Sequence, residues 1–221
     1  MKDLVRFGAW WARDYAYAVA WQARGLVTRV APDAFLTGTG RPVVILPGIW
    51  EPWSFMQPLI TQLRAQGHPV HVVAALRRNH GPVPEMAEHV EAYLTAAGLD
   101  DVILVAHSKG GLAGKLAMMG PAGWRIRGML AIATPFGGSR YARLMPLRSL
   151  RAFSANDPAI TRLALETAVN ARIVSVYSRF DPHIPGGSEL PGAKNVALDT
   201  GGHFSILAHP EVLAEFASFT E

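Results

Sequence analysis

Ser108 lies in a short stretch whose residue types and spacing suit nucleophilic chemistry. It follows a run of apolar residues and sits in the sequence Ala-His-Ser-Lys-Gly-Gly, which begins at Ala106. That sequence nearly matches the G-x-S-x-G pattern, in which a sharp turn between a strand and a helix holds the serine hydroxyl outward. Ala106 replaces the first glycine by the smallest side chain, while Gly110 and Gly111 allow the following helix to approach the strand closely. The alternative is an ordinary turn that carries a serine by chance.

A serine hydroxyl becomes a good nucleophile only when a base removes its proton. His203 follows the last apolar run, and the glycines before it give its loop the freedom to return over Ser108. His107 adjoins the serine, but we expect it to point away and pack in the interior. The other competing histidines lie on loops or at helix starts. They are His80, His183 and His209. We therefore predict that His203 is the base.

The base needs an acidic partner that fixes the position of its proton and stabilises the imidazolium. Asp181 follows the penultimate apolar run, so the chain order is serine, aspartate, histidine. An aspartate before a proline is also typical of a turn, which is the alternative interpretation of Asp181. Asp199 is the second candidate, but it lies within the last strand and close to His203 in sequence. We predict Asp181 as the acid, and with it a site for acyl transfer.

Acyl transfer also requires hydrogen-bond donors that face the oxyanion of the transition state. The first predicted donor is the backbone N–H of Lys109, at the start of the helix after the serine. The second is predicted in the loop after the first apolar run, where Ile49 is the first choice and Trp50 the next. We expect the Lys109 side chain to be solvated or to cap the helix rather than to act in catalysis.

Six apolar runs and several amphipathic segments must bring these residues together. The runs contain nearly continuous Val, Ile and Leu, which is typical of strands covered on both faces. They span 42–47, 69–75, 101–107, 129–134, 171–178 and 195–199. Helices are predicted at 56–66, 86–97, 109–119 and 210–219. This order predicts an α/β fold with a mostly parallel sheet of about six strands flanked by helices. Because ligands bind beyond the carboxyl ends of parallel strands, we expect Ser108, Asp181 and His203 at one edge of the sheet.

The interval 135–166 is longer than a simple connection between a strand and a helix requires. It carries several aromatic and aliphatic side chains among arginines. One or two ordinary helices packed on the sheet would explain it, and so would a short cap or lid over the site.

The composition indicates one globular domain and excludes several kinds of function. The chain has 221 residues, half of them hydrophobic, and we assign 41–221 to this domain and 1–40 to an N-terminal helix with a linker. There is no cysteine, which excludes disulfides, thiolate catalysis and cysteine-ligated zinc. The net charge is only +4 and the basic residues are dispersed, so nucleic-acid binding is not indicated.

Residues 4–27 predict an amphipathic helix that ends near Gly25. Three arginines share one face: Arg6, Arg13 and Arg24. The opposite face carries Leu4, Phe7, Trp11, Tyr15 and Ala18. Charged residues interrupt the segment, so it predicts neither a signal peptide nor a membrane span. We expect the helix either to lie across the domain or a second subunit, or to lie in a membrane interface with its tryptophans among the headgroups. The expected location is the cytoplasm, with or without peripheral membrane contact.

Taken together, these segments resemble the α/β-hydrolase superfamily, in particular its small bacterial lipases and esterases. The resemblance rests on five motifs in the family's order: VILPGIWEPWSFMQPLI, VILVAHSKGGL, IATPFGGS, VYSRFDPHIP and DTGGHFSIL. It covers residues 42–220 and implies the minimal form of that fold. It also implies that Ser108 is the nucleophile, with Asp181 and His203 as its triad partners and Ile49 and Lys109 as the oxyanion donors.

The resemblance further implies a carboxylic-ester hydrolase that acts on lipid-like or apolar acyl esters through an acyl-serine, without a metal or organic cofactor. The substrate pocket is predicted to include Trp50, Trp53, Phe136 and Met145. Thioesterases, amidases and acyltransferases share the same set of catalytic residues and are alternatives. A catalytically silent scaffold with this fold is the alternative of a different class.

Overall fold

The structure is a computed structural model of the chain, and it describes residues 2–27, 30–138, 142, 153–154 and 156–220. One sheet contains the strands β1 (Val43–Leu46), β2 (Val70–Val72), β3 (Val102–His107), β4 (Ile126–Ile132), β5 (Ile173–Phe180) and β6 (Lys194–Gly201). The α-helices within the described residues are α1 (Lys2–Val27), α2 (Gln57–Ala65), α3 (Val83–Ala96), α4 (Lys109–Met119), α5 (Pro158–Leu165) and α6 (Pro210–Ala217).

All neighbouring strands of the sheet are parallel, in the order β2-β1-β3-β4-β5-β6. Every residue of β1 and β3 is buried, as expected for apolar strands covered on both faces. The prediction of an α/β fold with a parallel sheet of about six strands is therefore confirmed. Since the strands are parallel, the loops that carry Ser108, Asp181 and His203 all leave the sheet at its carboxyl edge.

Alternate residues of the central strands enter two separate cores. Val44 and Leu104 belong to the core under α3, α4 and α5, whereas Val43 and Ile103 belong to the core under α2 and α6. Helices thus cover both faces of the sheet and fix the position of its carboxyl edge.

Helix α1 packs on β6 and on two short 3₁₀ helices, Trp53–Met56 and Ser205–Ala208. Phe7, Tyr15 and Ala18 of the predicted apolar face pack on the domain, but Trp11 is 51% exposed and Asp14 is fully buried. Asp14 is buried because its carboxylate accepts backbone hydrogen bonds from the domain beneath the helix. Within the described residues, no helix is both long enough and apolar enough to cross a membrane.

The interval 135–166 is described only in part. Its last segment forms α5, and Ala142 and Phe153 lie over the carboxyl edge of the sheet, where they line a cavity. Met145, predicted as a pocket residue, lies outside the described residues. The cap over the site therefore stays a prediction.

Candidate active site

Ser108, His203 and Asp181 form a continuous hydrogen-bonded row at the carboxyl edge of the sheet. The Nε2 atom of His203 lies 3.0 Å from the Ser108 hydroxyl, and its Nδ1 atom lies 2.7 Å from the Asp181 carboxylate. All three residues are buried, although Ser108 still borders the cavity. The second carboxylate oxygen of Asp181 accepts the backbone N–H groups of His183 and Ile184 at 2.8 and 3.1 Å. The loop after β5 therefore holds the carboxylate toward the histidine.

The turn at Ser108 is strained in the way that the serine motif predicts. Ser108 has φ 50° and ψ −121°, a conformation that ordinary residues rarely adopt and that costs about 1–3 kcal/mol. The glycines that follow allow α4 to lie directly against the sheet. A methyl group at Gly110 would overlap the carbonyl oxygen of Leu46, and one at Gly111 would overlap the side chain of Thr134. The predicted reason for the glycine pair, close approach of the helix, is confirmed.

The charges around His203 raise its pKa. Burial lowers the pKa of His203, but the charge of Asp181 and its hydrogen bond outweigh burial with the help of two further carboxylates, so the pKa lies above its ordinary value. Burial raises the pKa of Asp181, but the charge and the hydrogen bond of His203 outweigh it and lower the pKa. The ionised carboxylate keeps the histidine proton on Nδ1, which leaves Nε2 to accept from the serine hydroxyl.

The two predicted oxyanion donors both belong to segments next to Ser108. Lys109 is the first residue of α4, so its backbone N–H has no carbonyl partner within the helix. Ile49 lines the cavity together with Ser108. Its loop is closed by Glu51, whose carboxylate accepts the backbone N–H of Gly48 at 2.6 Å. The Gly48 donor is therefore occupied, and Ile49 is the next backbone donor along the loop.

Glu51 and His107 form a buried polar bridge beneath the row, and sequence reasoning missed it. His107 Nδ1 lies 2.9 Å from the Glu51 carboxylate, and His107 Nε2 lies 2.9 Å from the backbone carbonyl of His203. Because a carbonyl only accepts, His107 Nε2 donates to the backbone carbonyl of His203. His107 is buried as expected, but it links the loop after β1 to the loop that carries His203. Nothing in the local sequence distinguishes Glu51 from an exposed loop glutamate.

The Lys109 side chain is not solvated, contrary to expectation. It is buried, and its ammonium donates to the backbone carbonyls of Asn79 and Gly81. Burial lowers its pKa to about 8. The Asn79 side chain in turn donates to the carbonyl of Pro47 at 2.7 Å. These contacts join the loop after β2 to the turn at Ser108 and to the loop after β1.

A cavity of about 350 Å³ opens at Ser108 and His203. Most of its lining is apolar and comprises Ile49, Trp50, Pro135, Phe153, Ile184 and Phe204. Of the predicted pocket residues, Trp50 lines this cavity. The structure places Trp53 against Phe35 in one core and Phe136 in the other, so neither lines it. Across the part of the chain that the structure describes, no cluster of His, Asp and Glu side chains suits a metal ion.

The remaining candidates lie outside the hydrogen-bonded row. Asp199 is exposed on β6, and His209 caps α6 by accepting the N–H of Glu211 at 3.3 Å. His183 is close to the row, with its ring centroid 5.0 Å from that of His203, but its Nε2 faces the hydroxyl of Tyr15 at 3.1 Å. The structure therefore brings together the predicted serine, acid and base, while Asp199 and His209 lie apart from them and His183 lies beside the row with its ring turned to Tyr15.

Comparison with known proteins places this geometry in a family context. A family model described as "Alpha/beta hydrolase family" matches residues 43–187, which is more than half of the chain. The match includes Ser108 and Asp181 but neither α1 nor His203. No curated protein matches the sequence.

Several solved structures share the fold at low sequence identity. An α/β hydrolase from the metagenome of lagoon sediments at Mar Chica, Morocco, is 20% identical with a TM-score of 0.59, over 82% of this chain and 90% of that one. A mature lipase of Bacillus licheniformis is 17% identical with a TM-score of 0.64, over 86% and 95%. Lipase B of Aspergillus fumigatus is 18% identical with a TM-score of 0.65, over 84% of this chain but 53% of that one.

Proposed function

The chain belongs to the α/β hydrolase family, and from that premise we propose that it is a serine hydrolase that cleaves carboxylic esters of apolar acyl groups. The observation that carries the proposal is the unbroken row from Asp181 through His203 to Ser108, with distances of 2.7 and 3.0 Å. A scaffold without activity would have no need for a strained serine that borders a cavity.

The geometry supports acyl transfer in two steps. In the first, His203 Nε2 takes the proton of the Ser108 hydroxyl while Oγ attacks the carbonyl carbon of the ester. The N–H groups of Lys109 and Ile49 stabilise the resulting oxyanion. The C–O bond to the alcohol then breaks, His203 returns its proton to the leaving alkoxide, and the acyl group remains on Ser108.

In the second step His203 takes a proton from water, and the hydroxide attacks the acyl-serine. A second oxyanion forms and collapses, the bond to Oγ breaks, and the serine recovers its proton from the imidazolium. The products are one alcohol and one carboxylic acid. Asp181 stays ionised throughout and stabilises the imidazolium that forms in each step.

The lining of the cavity supports an apolar acyl group. Glu51 is the one carboxylate among the described lining residues, and it is engaged by Gly48 and His107 rather than turned to a ligand. A charged acyl chain would lose its hydration here without finding an opposite charge on that lining.

The test is a panel of p-nitrophenyl esters from acetate to palmitate, assayed with the wild type and with Ser108→Ala. We expect hydrolysis that depends on Ser108 and prefers an aliphatic acyl chain to a chain of the same length that ends in a carboxylate. Thioesters and amides of the preferred acyl group, with hydroxylamine as a competing acceptor, separate the ester hydrolase from its alternatives. Faster turnover of a thioester or amide, or a preference for the charged chain, would overturn the proposal.

A further inference from the structure

Helix α1 places a buried carboxylate on the loop of the base. Asp14 is 0% exposed, and its two oxygens accept the backbone N–H groups of His203, Phe204 and Ser205 at 2.9, 2.8 and 2.8 Å. Burial of a carboxylate is costly unless hydrogen bonds compensate it, and here backbone donors do so. A side chain 189 positions away in sequence thus holds the catalytic histidine's own backbone.

The two glycines before His203 leave room for this helix because they carry no side chain. A methyl group at Gly201 would collide with the ring of Trp10, and one at Gly202 would overlap the Asp14 carboxylate. The neighbouring Arg13 adds a hydrogen bond to the Thr200 hydroxyl at 2.9 Å. The contact between α1 and this loop is therefore close, although the matched family region, residues 43–187, includes neither side of it.

We propose that Asp14 is a positioning residue, which fixes the loop of residues 202–205 so that His203 stays within hydrogen-bonding distance of Ser108. The proposal rests on the proposed function, because it assigns His203 as the base. It makes α1 a part of the active site rather than an appendage.

The negative charge of Asp14 gives this role a measurable signature. The titratable groups that face His203 come from every element around it and are Asp14, Glu51, His107, Asp181 and His183. The negative charge of Asp14 is among those that raise the pKa of His203 against the lowering effect of burial. Replacing Asp14 by asparagine removes that charge, so the pKa of His203 falls and the acid limb of kcat/KM moves to lower pH. A purely structural role would lower kcat without moving the limb.

The test compares Asp14→Asn with Tyr17→Phe on the same helix. The buried Tyr17 hydroxyl has no hydrogen-bond partner among the described residues, so its loss should change neither rate nor pH profile. For Asp14→Asn we expect kcat to fall about tenfold to 100-fold and the limb to shift to lower pH. An unchanged limb would overturn the proposal.

Titration of the His203 ring by NMR in wild type and Asp14→Asn gives a readout that does not depend on activity. A lower ring pKa in the variant supports the proposal, and an equal pKa overturns it, even if Ser108 proves unreactive. Failure of the proposed function alone would appear as a wild type that cleaves no ester while its ring pKa still responds to Asp14.

A second pair of variants covers the case in which Asp14→Asn does not fold. Gly202→Ala puts a methyl group into the carboxylate at a residue with φ 118°, whereas Gly67→Ala meets nothing within 4 Å at φ 91°. Both carry backbone strain, but only the first displaces Asp14. We expect Gly202→Ala alone to lose about tenfold or more in kcat. Equal activity of the two variants would overturn the proposal.

The side of α1 that faces away from the domain carries a second, independent feature. Exposed apolar residues recur along it at helical spacing: Ala12, Ala16, Val19, Ala23, Leu26 and Val27. We call these six residues the outer face; Val19 is 67% and Leu26 75% exposed. By their helical spacing, Arg6, Arg13 and Arg24 run along one edge of this face, and the exposed Trp11 lies at the other edge.

We infer that the outer face binds an anionic phospholipid surface. An apolar helical face with arginines along its edge suits the boundary between headgroups and acyl chains. The guanidinium groups of Arg6 and Arg24 lie 4.7 and 4.9 Å from the rings of Trp10 and Trp21, which keeps these cations beside the helix. The net charge of +4 adds a long-range attraction to anionic lipid.

Co-sedimentation with vesicles of phosphatidylglycerol and phosphatidylcholine tests this inference. We expect binding that weakens with salt, that is lost with pure phosphatidylcholine, and that falls about tenfold in a Val19→Ser, Leu26→Ser double variant. Leu165→Ser is the matched control, because Leu165 is 78% exposed on α5. Absence of wild-type binding, equal binding of the double variant, or self-association through this face in place of lipid binding would each overturn the inference.

Discussion

Ser108 is positioned by the strand before it and the helix after it, whereas His203 is positioned by carboxylates from other parts of the chain. The serine turn takes its geometry from the strand before it and the helix after it, and its N–H donates to Ile132 on the next strand at 2.9 Å. His203 depends instead on Asp181, 22 positions away, and on Asp14, 189 positions away.

This contrast shows that the two sides of the site respond to different changes. The serine side relies on close packing without side chains at Gly110 and Gly111, so added volume disrupts it. The base side relies on carboxylates that accept hydrogen bonds and supply negative charge, so loss of charge disrupts it.

Loss of the Asp181 charge should be the most damaging change on the base side. We expect Asp181→Asn to lower kcat by about 10⁴-fold with the fold intact, because the amide cannot hold the histidine proton on Nδ1. Steady-state kinetics and circular dichroism check this result. The control is Asp199→Asn, since Asp199 is exposed on β6. Nearly unchanged activity of Asp181→Asn would remove Asp181 from the role of the acid.

Added volume should break the serine side by a different route. In Gly110→Ala the new methyl group overlaps the carbonyl oxygen of Leu46 on β1. We expect a loss of about 1–3 kcal/mol in the free energy of unfolding, together with lower activity, measured by urea denaturation. Gly8→Ala is the matched control, because nothing lies within 4 Å of the added atom. Equal stability of the two variants would show that the close approach of α4 is not needed.

The pH dependence of activity tests the effect of the carboxylates on the pKa of His203. The base must be neutral to accept the serine proton, and the pKa of His203 is raised above its ordinary value of 6.5. Activity should therefore fall as the pH drops through a midpoint above that value. This midpoint is measured from a profile of kcat/KM against pH. A midpoint clearly below 6.5 would mean that burial outweighs the carboxylates.

The smallest effect concerns selectivity, and two tryptophans allow a matched comparison. Trp50 lines the cavity, whereas Trp53 packs against Phe35 in the core. We expect Trp50→Ala to shift the preferred acyl chain length by about tenfold in relative kcat/KM. Trp53→Ala should lower the melting temperature and leave the preference unchanged. If Trp53→Ala shifts the preferred chain length instead, the acyl chain binds at a surface other than the cavity that Trp50 lines.

The serine side could be predicted from sequence because its signal is local. Continuous apolar runs mark strands that are buried on both faces, and the residue types around Ser108 leave few turns that fit. All six strands and the helix after the serine follow from these local patterns. The positions of Asp181 and His203 follow from the same logic, since each follows a strand of a parallel sheet.

Residues that depend on tertiary contact could not be predicted in this way. Asp14 and Glu51 are isolated carboxylates in sequence, and only the folded chain brings backbone donors to them. The buried position of Lys109 depends on carbonyls from the loop after β2. Nearness to Trp50 in sequence predicts Trp53 in the pocket, but a 3₁₀ helix turns its ring into the core.

Labelling with a fluorophosphonate, followed by mass spectrometry of the tryptic peptides, shows whether Ser108 is an activated nucleophile. The reagent forms a stable bond only with a serine that a base has activated. We predict one adduct on Ser108 in the wild type and none at this position in Ser108→Ala, with or without detergent micelles. A wild-type protein that stays unlabelled under both conditions, or that carries its adduct on another residue, would contradict the assignment of Ser108 and His203 as nucleophile and base.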